Sequence, residues 1–279
     1  MEPSSKRINQ ADVNSPRPLW KPVPELRTGM ALSPIPRALL FDVFGTCVDW
    51  PSRVRLRASE MTEEHWGQFA QEWRNSYKNF TKKVAVDPAA VWMSIDDHHR
   101  KSLKELIAKW KLEGLWDEAE VRALSLVWHH LVPWEDSVPG VQLLNQLFAT
   151  CTLSNGNMSL LSDLRAYSGI PFTHVFSAEM FGTYKPSPKV YLGAVEELGV
   201  TPGECVMVAA HLGDLKAAKA NGLHTVYVER AGEEDWGHDE IAKARAAGWV
   251  DMWVDLQGGN KGFLTVAEKL GVGVERAGN

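Results

Sequence analysis

The stretch "ALLFDVFGTC" (38–47) places an acidic residue, Asp42, at the end of an apolar run and a hydroxyl, Thr46, four residues later. A carboxylate at the tip of a buried strand can attack an electrophile, or it can simply cap the following turn. Other polar residues that follow apolar runs or turns could converge on the same place: Ser154, Asn155, Lys185, His211 and Asp214. Together they predict one polar cleft assembled from distant parts of the chain.

Short apolar runs that alternate with helical patterns must position these residues. The runs are 38–44, 151–155, 174–178, 204–210, 224–229 and 251–256. Continuous apolar runs are typical of parallel strands buried on both faces. Helical patterns between them close at glycine, as at Gly169, Gly199 and Gly222. The alternation predicts an α/β fold with a Rossmann-like parallel sheet, and ligands of such sheets bind beyond the carboxyl ends of the strands.

An inserted region after the first strand has a different pattern, with helical stretches and no convincing strand. The stretches are 63–84, 91–110 and 118–132, and seven of the chain's twelve tryptophans lie in this region. Large aromatic residues predict a packed helical layer over the edge of the sheet. The expected division is an N-terminal extension at 1–35, rich in Pro, Ser and charge and predicted to be flexible, a core domain at 36–51 and 139–270, and an all-helical cap domain at 52–138.

Composition narrows the class of protein. The formal net charge of −5 argues against nucleic acid as a partner. Three widely spaced cysteines fit neither a disulfide framework nor a zinc finger, and they suit a reducing compartment. No apolar run approaches a membrane span, and the first residues lack the apolar segment of a secretory signal. We therefore expect a cytoplasmic protein that acts on a small molecule, and the apolar helical cap makes a homodimer plausible.

Four segments in order, "FDVFGT", "LSNG", "YKPSPKVY" and "MVAAHLGDLKAAKANG", resemble the motifs of the haloacid dehalogenase superfamily. The resemblance covers roughly residues 37–256 and includes a helical insertion in the expected place. Several spaced motifs in the right order are far more specific than any one of them. The resemblance implies an α/β core of this superfamily's type with an inserted helical cap.

Two positions favour one branch of the superfamily over its phosphatases. The phosphatases carry a second Asp two residues after the nucleophile, where this chain has Phe44, and an acidic residue near the last motif, where it has Ala209 and Ala210. Asp42 and Asp214 alone would give Mg²⁺ a meagre oxygen shell. The sequence is similar to the type II L-2-haloacid dehalogenases, which implies displacement of halide at carbon with no metal and no other cofactor.

The resemblance also implies roles for the residues of the cleft. Asp42 becomes the nucleophile that forms an ester with the substrate, and Thr46 orients it. Lys185 keeps Asp42 ionised, while Asp214 holds Lys185 and helps to position the hydrolytic water. The substrate-binding residues implied by the resemblance, or placed near the first motif, are Arg74 in "QEWRNSY", which receives the halide and the carboxylate, Ser154, Asn155, Tyr191, His211 and Trp50.

One departure from the family pattern keeps alternatives open. Ala209 and His211 stand where the dehalogenases have Ser and Asn, so His211 could replace the Asn as a donor or act as a base. The altered "AAHLGD" motif and the N-terminal extension motivate a second function, the opening or rearrangement of an epoxide in natural-product biosynthesis. A Mg²⁺-dependent phosphatase and a binding protein without turnover are further alternatives.

Overall fold

The apolar runs form a parallel sheet, as predicted. The computed structural model describes residues 32–50 and 62–273. Its strands are β1 Ala38–Phe41, β2 Val48–Asp49, β3 Val132–Pro133, β4 Ala149–Ser154, β5 His174–Ser177, β6 Cys205–Ala209, β7 His224–Val228 and β8 Met252–Val254. Six of them make one sheet in the order β5-β4-β1-β6-β7-β8, with every neighbouring pair parallel. The α/β fold class is therefore confirmed.

Strand β1 lies at the centre of this sheet, where the strand order reverses. Phe41 pairs with Thr152 of β4 on one side and with Val208 of β6 on the other. All four β1 residues are buried because helices cover both faces of the sheet. A reversal of strand order opens a crevice at the carboxyl ends of the strands. This crevice begins at Asp42, the residue directly after β1.

Helices connect the strands and build the inserted region. They are α1 Glu63–Val86, α2 Ile95–Lys109, α3 Glu118–Ser125, α4 Ser137–Leu144, α5 Met158–Ser168, α6 Pro188–Leu198, α7 Leu212–Ala220, α8 His238–Ala247 and α9 Phe263–Lys269. Helices α5 and α6 end at Gly169 and Gly199, whose φ values of 68° and 64° are left-handed and favour glycine. The sequence patterns had not indicated α4, α8 or α9.

The cap is mainly helical, but it is not all-helical. The third predicted helix, 118–132, ends early: α3 stops at Ser125 and a 3₁₀ turn follows at Val127–His130. Strand β3 then pairs antiparallel with β2, with Val48 opposite Pro133. Proline cannot donate a helical hydrogen bond and disfavours helical backbone in the residue before it, so the chain becomes extended there. The prediction that the region lacks strands was wrong for this short ribbon.

Aromatic side chains fill the space between the cap helices. Trp73 is fully buried, and its indole donates to Ser102 at 3.0 Å. The His99 ring stacks on Trp128 with centroids 4.7 Å apart. Burial lowers the pKa of His99 well below its ordinary value, so this imidazole is neutral packing material. The prediction that the cap tryptophans mostly form core holds for Trp66, Trp73 and Trp128.

Several expectations lie partly or wholly outside the described residues. Residues 1–31 of the predicted extension and 51–61 at the start of the predicted cap are among these. The division into core and cap domains stays a prediction, as do a cytoplasmic location and a homodimer.

Cys47, Cys151 and Cys205 are buried free thiols. Among the described residues, no helix combines the length and apolarity needed to cross a membrane.

A buried histidine joins the cap to the core. His129 Nδ1 lies 2.8 Å from Asp163 of α5, and its Nε2 lies 3.0 Å from Asp96 of α2. Asp96 also accepts hydrogen bonds from Asn157 and Ser159, so it is held from the core side as well. Burial opposes the charge of the ring, but the two carboxylates raise the pKa of His129 above its ordinary value. Only the imidazolium can donate to both carboxylates.

This contact should make the stability of the protein sensitive to pH. A group whose pKa is raised by folding contributes stability below its unfolded pKa, and that contribution disappears as pH rises through the folded pKa. At about pH 6 we expect the wild type to have a larger free energy of unfolding than His129→Gln. This difference in free energy should shrink by roughly 1 kcal/mol as pH rises to about 9. Urea unfolding measures it, with the exposed neighbour His130→Gln as control. A difference that stays constant with pH would contradict this role of His129.

Candidate active site

The loop after β1 holds Asp42 in place through its backbone. The Asp42 amide donates to Val208 of β6 at 3.0 Å, and the Cys47 thiol donates to the Asp42 carbonyl at 3.1 Å. Three successive loop carbonyls accept side-chain donors: Gly45 from Trp134, Thr46 from Arg230 and Cys47 from Ser137. The loop carbonyls are thus tied to neighbouring segments, which fixes the position of the Asp42 side chain.

Thr46 donates to the Asp42 carboxylate. Its Oγ1 lies 2.8 Å from Asp42 Oδ2. The same oxygen accepts a hydrogen bond from the Ala210 amide at 2.9 Å. Because the amide can only donate, the Thr46 proton is free to point at Asp42. The geometry agrees with the predicted orienting role of Thr46.

Lys185 bridges the two acids of the site. Its Nζ lies 2.9 Å from Asp42 Oδ1 and 2.6 Å from Asp214 Oδ2, and Tyr191 donates to Asp214 Oδ1 at 2.6 Å. Burial would raise the pKa of Asp42, yet Lys185 and His211 hold it well below its ordinary value. Burial would lower the pKa of Lys185, but the Asp214 and Asp42 carboxylates raise it. Both groups are therefore ionised at neutral pH.

The second acid has a different balance of forces. Burial raises the pKa of Asp214, the Lys185 ammonium opposes this rise, and the charge of Asp42 adds to it. Burial and the nearby Asp214 carboxylate also raise the pKa of Tyr191, so its hydroxyl stays protonated and donates. Asp214 is consequently the more basic of the two carboxylates.

The predicted pair at the end of β4 mainly supports Lys185. Asn155 Oδ1 accepts from the Lys185 amide at 2.7 Å, and its Nδ2 donates to the Lys185 carbonyl at 3.4 Å. Asn155 does reach the cavity described below, whereas Ser154 does not line it. The Ser154 hydroxyl is fully buried and accepts from the Gly156 amide at 3.2 Å. The Ser154 hydroxyl is therefore placed to shape the turn that follows β4.

Arg74 enters the site from helix α1 and is only 3% exposed. One of its terminal nitrogens donates to the Phe44 carbonyl at 3.1 Å. The rings of Trp50 and Tyr77 have their centroids 5.4 Å and 5.3 Å from the guanidinium carbon, within cation–π range. Trp50, predicted to line the pocket, instead lies behind Arg74, where it stacks on Trp128.

His211 touches the nucleophile and a second carboxylate. Its Nδ1 lies 3.0 Å from Asp42 Oδ2, and its Nε2 lies 3.6 Å from Glu233 Oε2. Glu233 is 3% exposed and comes from the segment between β7 and α8. The sequence patterns missed this residue, because it stands in the acidic run "GEEDWG", which is typical of a solvated loop. Nothing in its spacing distinguishes it from Glu234.

These residues surround a cavity of about 320 Å³ between α1 and the carboxyl ends of the strands. At its outer side, Lys78 of α1 bonds both oxygens of Asp235 at 2.7 and 2.8 Å. The lining residues are Asp42, Phe44, Arg74, Tyr77, Lys78, Thr81, Lys82, Asn155, Lys185, Pro186, Tyr191, His211, Gly213, Asp214, Glu234, Asp235 and Trp236. The cavity thus has an ionised floor, aromatic walls and a charged mouth.

A divalent cation does not fit this arrangement. The Asp42 and Asp214 carboxylates already share the Lys185 ammonium, and both oxygens of each have protein donors. Phe44, which also lines the cavity, has no side-chain oxygen to add to the shell that a hard divalent cation prefers. Among the described residues, no group of three or more His, Cys, Asp or Glu side chains has the geometry of a metal site.

A parallel α/β sheet with an ionised aspartate at a strand end, a bridging lysine and a covered, partly apolar cavity is an arrangement that suits an enzyme with a carboxylate nucleophile. The family comparison makes the class specific. Residues 36–222 match the model of the haloacid dehalogenase-like hydrolases. The chain belongs to this family, as the order of its motifs predicted.

Several known members that resemble the chain are dehalogenases. A curated relative, (S)-2-haloacid dehalogenase 4A of Burkholderia cepacia, is 28% identical over 204 residues, which cover 70% of this chain and 84% of the relative. The structure of a defluorinating L-2-haloacid dehalogenase is 32% identical, with a TM-score of 0.72 and coverage of 84% of this chain and 95% of that one. The L-2-haloacid dehalogenase of Xanthobacter autotrophicus is 25% identical, with a TM-score of 0.64 and coverage of 77% and 84%, respectively.

Proposed function

We propose that this chain is an (S)-2-haloacid dehalogenase, which releases halide from 2-haloalkanoic acids by hydrolysis. The observation that carries the proposal is the buried, ionised Asp42 at the floor of the cavity, with a cation or hydroxyl donor at each oxygen. The names of the relatives support halide as the leaving group and disfavour the epoxide alternative.

In the first step, one oxygen of Asp42 forms a bond to C2 of the substrate. The carbon–halogen bond breaks at the same time, and the halogen leaves with the electron pair as halide. An ester links Asp42 to the organic acid. Such covalent catalysis replaces one difficult displacement by two easier steps. Lys185 favours the ionised form of Asp42 that this attack requires.

Arg74 is the residue we assign to the anions of this reaction, the substrate carboxylate and the departing halide. The guanidinium has five N–H donors, one of which serves the Phe44 carbonyl, while its Nε has no hydrogen-bond partner among the described residues. The Phe44, Trp50 and Tyr77 rings hold its plane and exclude water, which strengthens anion binding.

In the second step, water hydrolyses the ester, releases a 2-hydroxy acid and restores Asp42. We assign Asp214 to this water because it lines the cavity beside Lys185 and is the more basic carboxylate. Tyr191 holds Asp214 through its hydroxyl. Asn155 contributes to the cavity wall. Ser154 acts by shaping the turn after β4, and Trp50 acts by packing against Arg74.

Halide release from a small panel tests this function. The panel holds chloroacetate, bromoacetate, fluoroacetate and both enantiomers of 2-chloropropionate, with EDTA present throughout. We expect halide and the matching 2-hydroxy acid in equal amounts, with preference for the (S)-enantiomer. A folded protein that releases no halide from any of them, or only when Mg²⁺ is added, would contradict the proposal.

A further inference from the structure

The two oxygens of Asp42 have different surroundings. Oδ1 receives the Lys185 ammonium, which Asp214 shares. Oδ2 receives two directed donors, the Thr46 hydroxyl at 2.8 Å and His211 Nδ1 at 3.0 Å. Thr46 is fully buried and does not line the cavity, so it reaches Oδ2 from the side away from a substrate, whereas His211 reaches Oδ2 from the cavity wall. Oδ1 is therefore the oxygen more free to attack, and Oδ2 becomes the carbonyl oxygen of the ester.

We propose that Thr46 and His211 form an oxyanion site for Oδ2 during hydrolysis of the ester, and that Glu233 keeps His211 cationic for this task. The assignment rests on the proposed dehalogenation and concerns its second step. It chooses between the two roles that the sequence left open for His211, donor and base, and it adds a positioning residue, Glu233.

The chemistry places negative charge where these donors point. A water oxygen bonds to Asp42 Cγ, one water proton moves to Asp214, and the π electrons of the carbonyl move to Oδ2. Collapse of this intermediate breaks the bond between Cγ and Oδ1. Oδ1 leaves as the hydroxyl oxygen of the product and takes the proton from Asp214, while the new carboxyl of Asp42 releases its own proton. Preorganised donors to such an oxyanion commonly contribute about 10²–10³ in rate.

His211 is placed to donate as an imidazolium. The charged groups that face it are Asp42 at the end of β1, Glu233 from the loop after β7 and Arg74 from α1. Neighbouring Glu234 instead accepts from the backbone amides of Leu212 and Trp236. Burial lowers the pKa of His211, but Asp42 and Glu233 raise it to about 9 against the opposing charge of Arg74.

Glu233 matters most after the ester has formed. Esterification removes the charge of Asp42, so Glu233 becomes the carboxylate that still compensates the imidazolium. Its carboxylate packs against Gly45, where a Cβ would lie 2.0 Å from Oε2. Gly45 has φ +86°, so both its conformation and the missing side chain make room for Glu233. Oε1 of Glu233 has no hydrogen-bond partner among the described residues, and Oε2 lies 3.6 Å from His211 Nε2.

The pH dependence of the second step tests the assignment. An imidazolium donor predicts a hydrolysis rate that falls as pH rises through the pKa of His211, whereas a base predicts a rate that rises. Rapid-quench measurement of halide and of the mass of the Asp42 peptide separates the two steps with (S)-2-chloropropionate as probe.

We expect Glu233→Gln to keep the halide burst, to slow ester hydrolysis about tenfold and to move the alkaline limb of ester hydrolysis to lower pH. Glu229→Gln, in the same interstrand segment, is the control and should match the wild type.

Two substitutions of His211 complete the test. His211→Ala should accumulate the Asp42 ester after a normal halide burst, while His211→Asn, which keeps a neutral donor, should restore part of the second step and lose the alkaline limb. Thermal unfolding verifies that each variant is folded. If the alkaline limb of ester hydrolysis in Glu233→Gln lies at the same pH as in the wild type, the oxyanion assignment alone is overturned. The same follows if the rate of ester hydrolysis rises as pH rises through the pKa of His211. A wild type that releases no halide at all would overturn the dehalogenation and this assignment with it.

Discussion

Asp42→Ala and Asp42→Asn should release no measurable halide, a loss on the order of 10⁴-fold or more relative to the wild type. The reason is chemical, because neither side chain can form the ester with the substrate. The Asn variant keeps an oxygen acceptor for Thr46 and the size of the side chain. Halide release by ion chromatography is the measurement, and the exposed Asp239→Asn is the matched control.

Two results would show that Asp42 is not the nucleophile. One is a folded Asn variant that retains more than a few per cent of wild-type turnover. The other is a protein whose Asp42 peptide never gains the mass of the organic acid under rapid quench, even when hydrolysis has been slowed by His211→Ala. The first result would exclude Asp42 both as nucleophile and as base, whereas the second would point to direct attack of water on the substrate with Asp42 acting as a general base.

Lys185→Met should damage both activity and stability. Without the ammonium, two buried carboxylates, Asp42 and Asp214, lose the cation that they share, and only Asp42 keeps a second one, His211. Breaking a buried ion pair in this way typically costs about 3–5 kcal/mol of folding free energy. The pKa of Asp42, which Lys185 helps to hold low, should rise. We expect halide release to fall about 10²-fold or more at neutral pH.

The pH dependence distinguishes this cause from simple misfolding. A carboxyl whose pKa is lowered on folding contributes stability above its unfolded pKa, and that contribution is lost as pH falls through the folded pKa. In Lys185→Met the acid limb of activity should therefore move to higher pH. Urea unfolding and the pH profile of halide release measure the two effects, with exposed Lys189→Met as control. A stable variant with an unmoved acid limb would contradict the role of Lys185.

The fold could be read from the sequence largely because buried parallel strands have a strong local pattern. Each of the six predicted runs overlaps one strand of the sheet, and Asp42 directly follows β1. Short elements carry too few residues for a pattern, and β3, two residues long, was missed where the predicted helix 118–132 ends. The helical periodicity was extended as far as Val132, directly before Pro133, although a proline disfavours helical backbone in the residue before it.

The site was harder to predict, since a sequence does not show which way a side chain faces. Ser154 and Asn155 are adjacent at the end of β4, and successive residues of a strand point to opposite faces, so only Asn155 reaches the cavity. Trp50 lies behind Arg74 because its ring packs against the guanidinium, a contact between distant residues that no sequence motif shows. Glu233 belongs to the site because Gly45 leaves room for it, a relation between segments far apart in the sequence.

A single turnover in ¹⁸O water tests the covalent account most directly. Excess enzyme is mixed with (S)-2-chloropropionate, and mass spectrometry follows both the lactate formed and the peptide that contains Asp42. Because water attacks Cγ and Oδ1 leaves with the product, the account predicts unlabelled lactate and one ¹⁸O in the Asp42 carboxylate. Labelled lactate with an unlabelled Asp42 would contradict it, since the oxygen would then have passed from water to substrate without an ester.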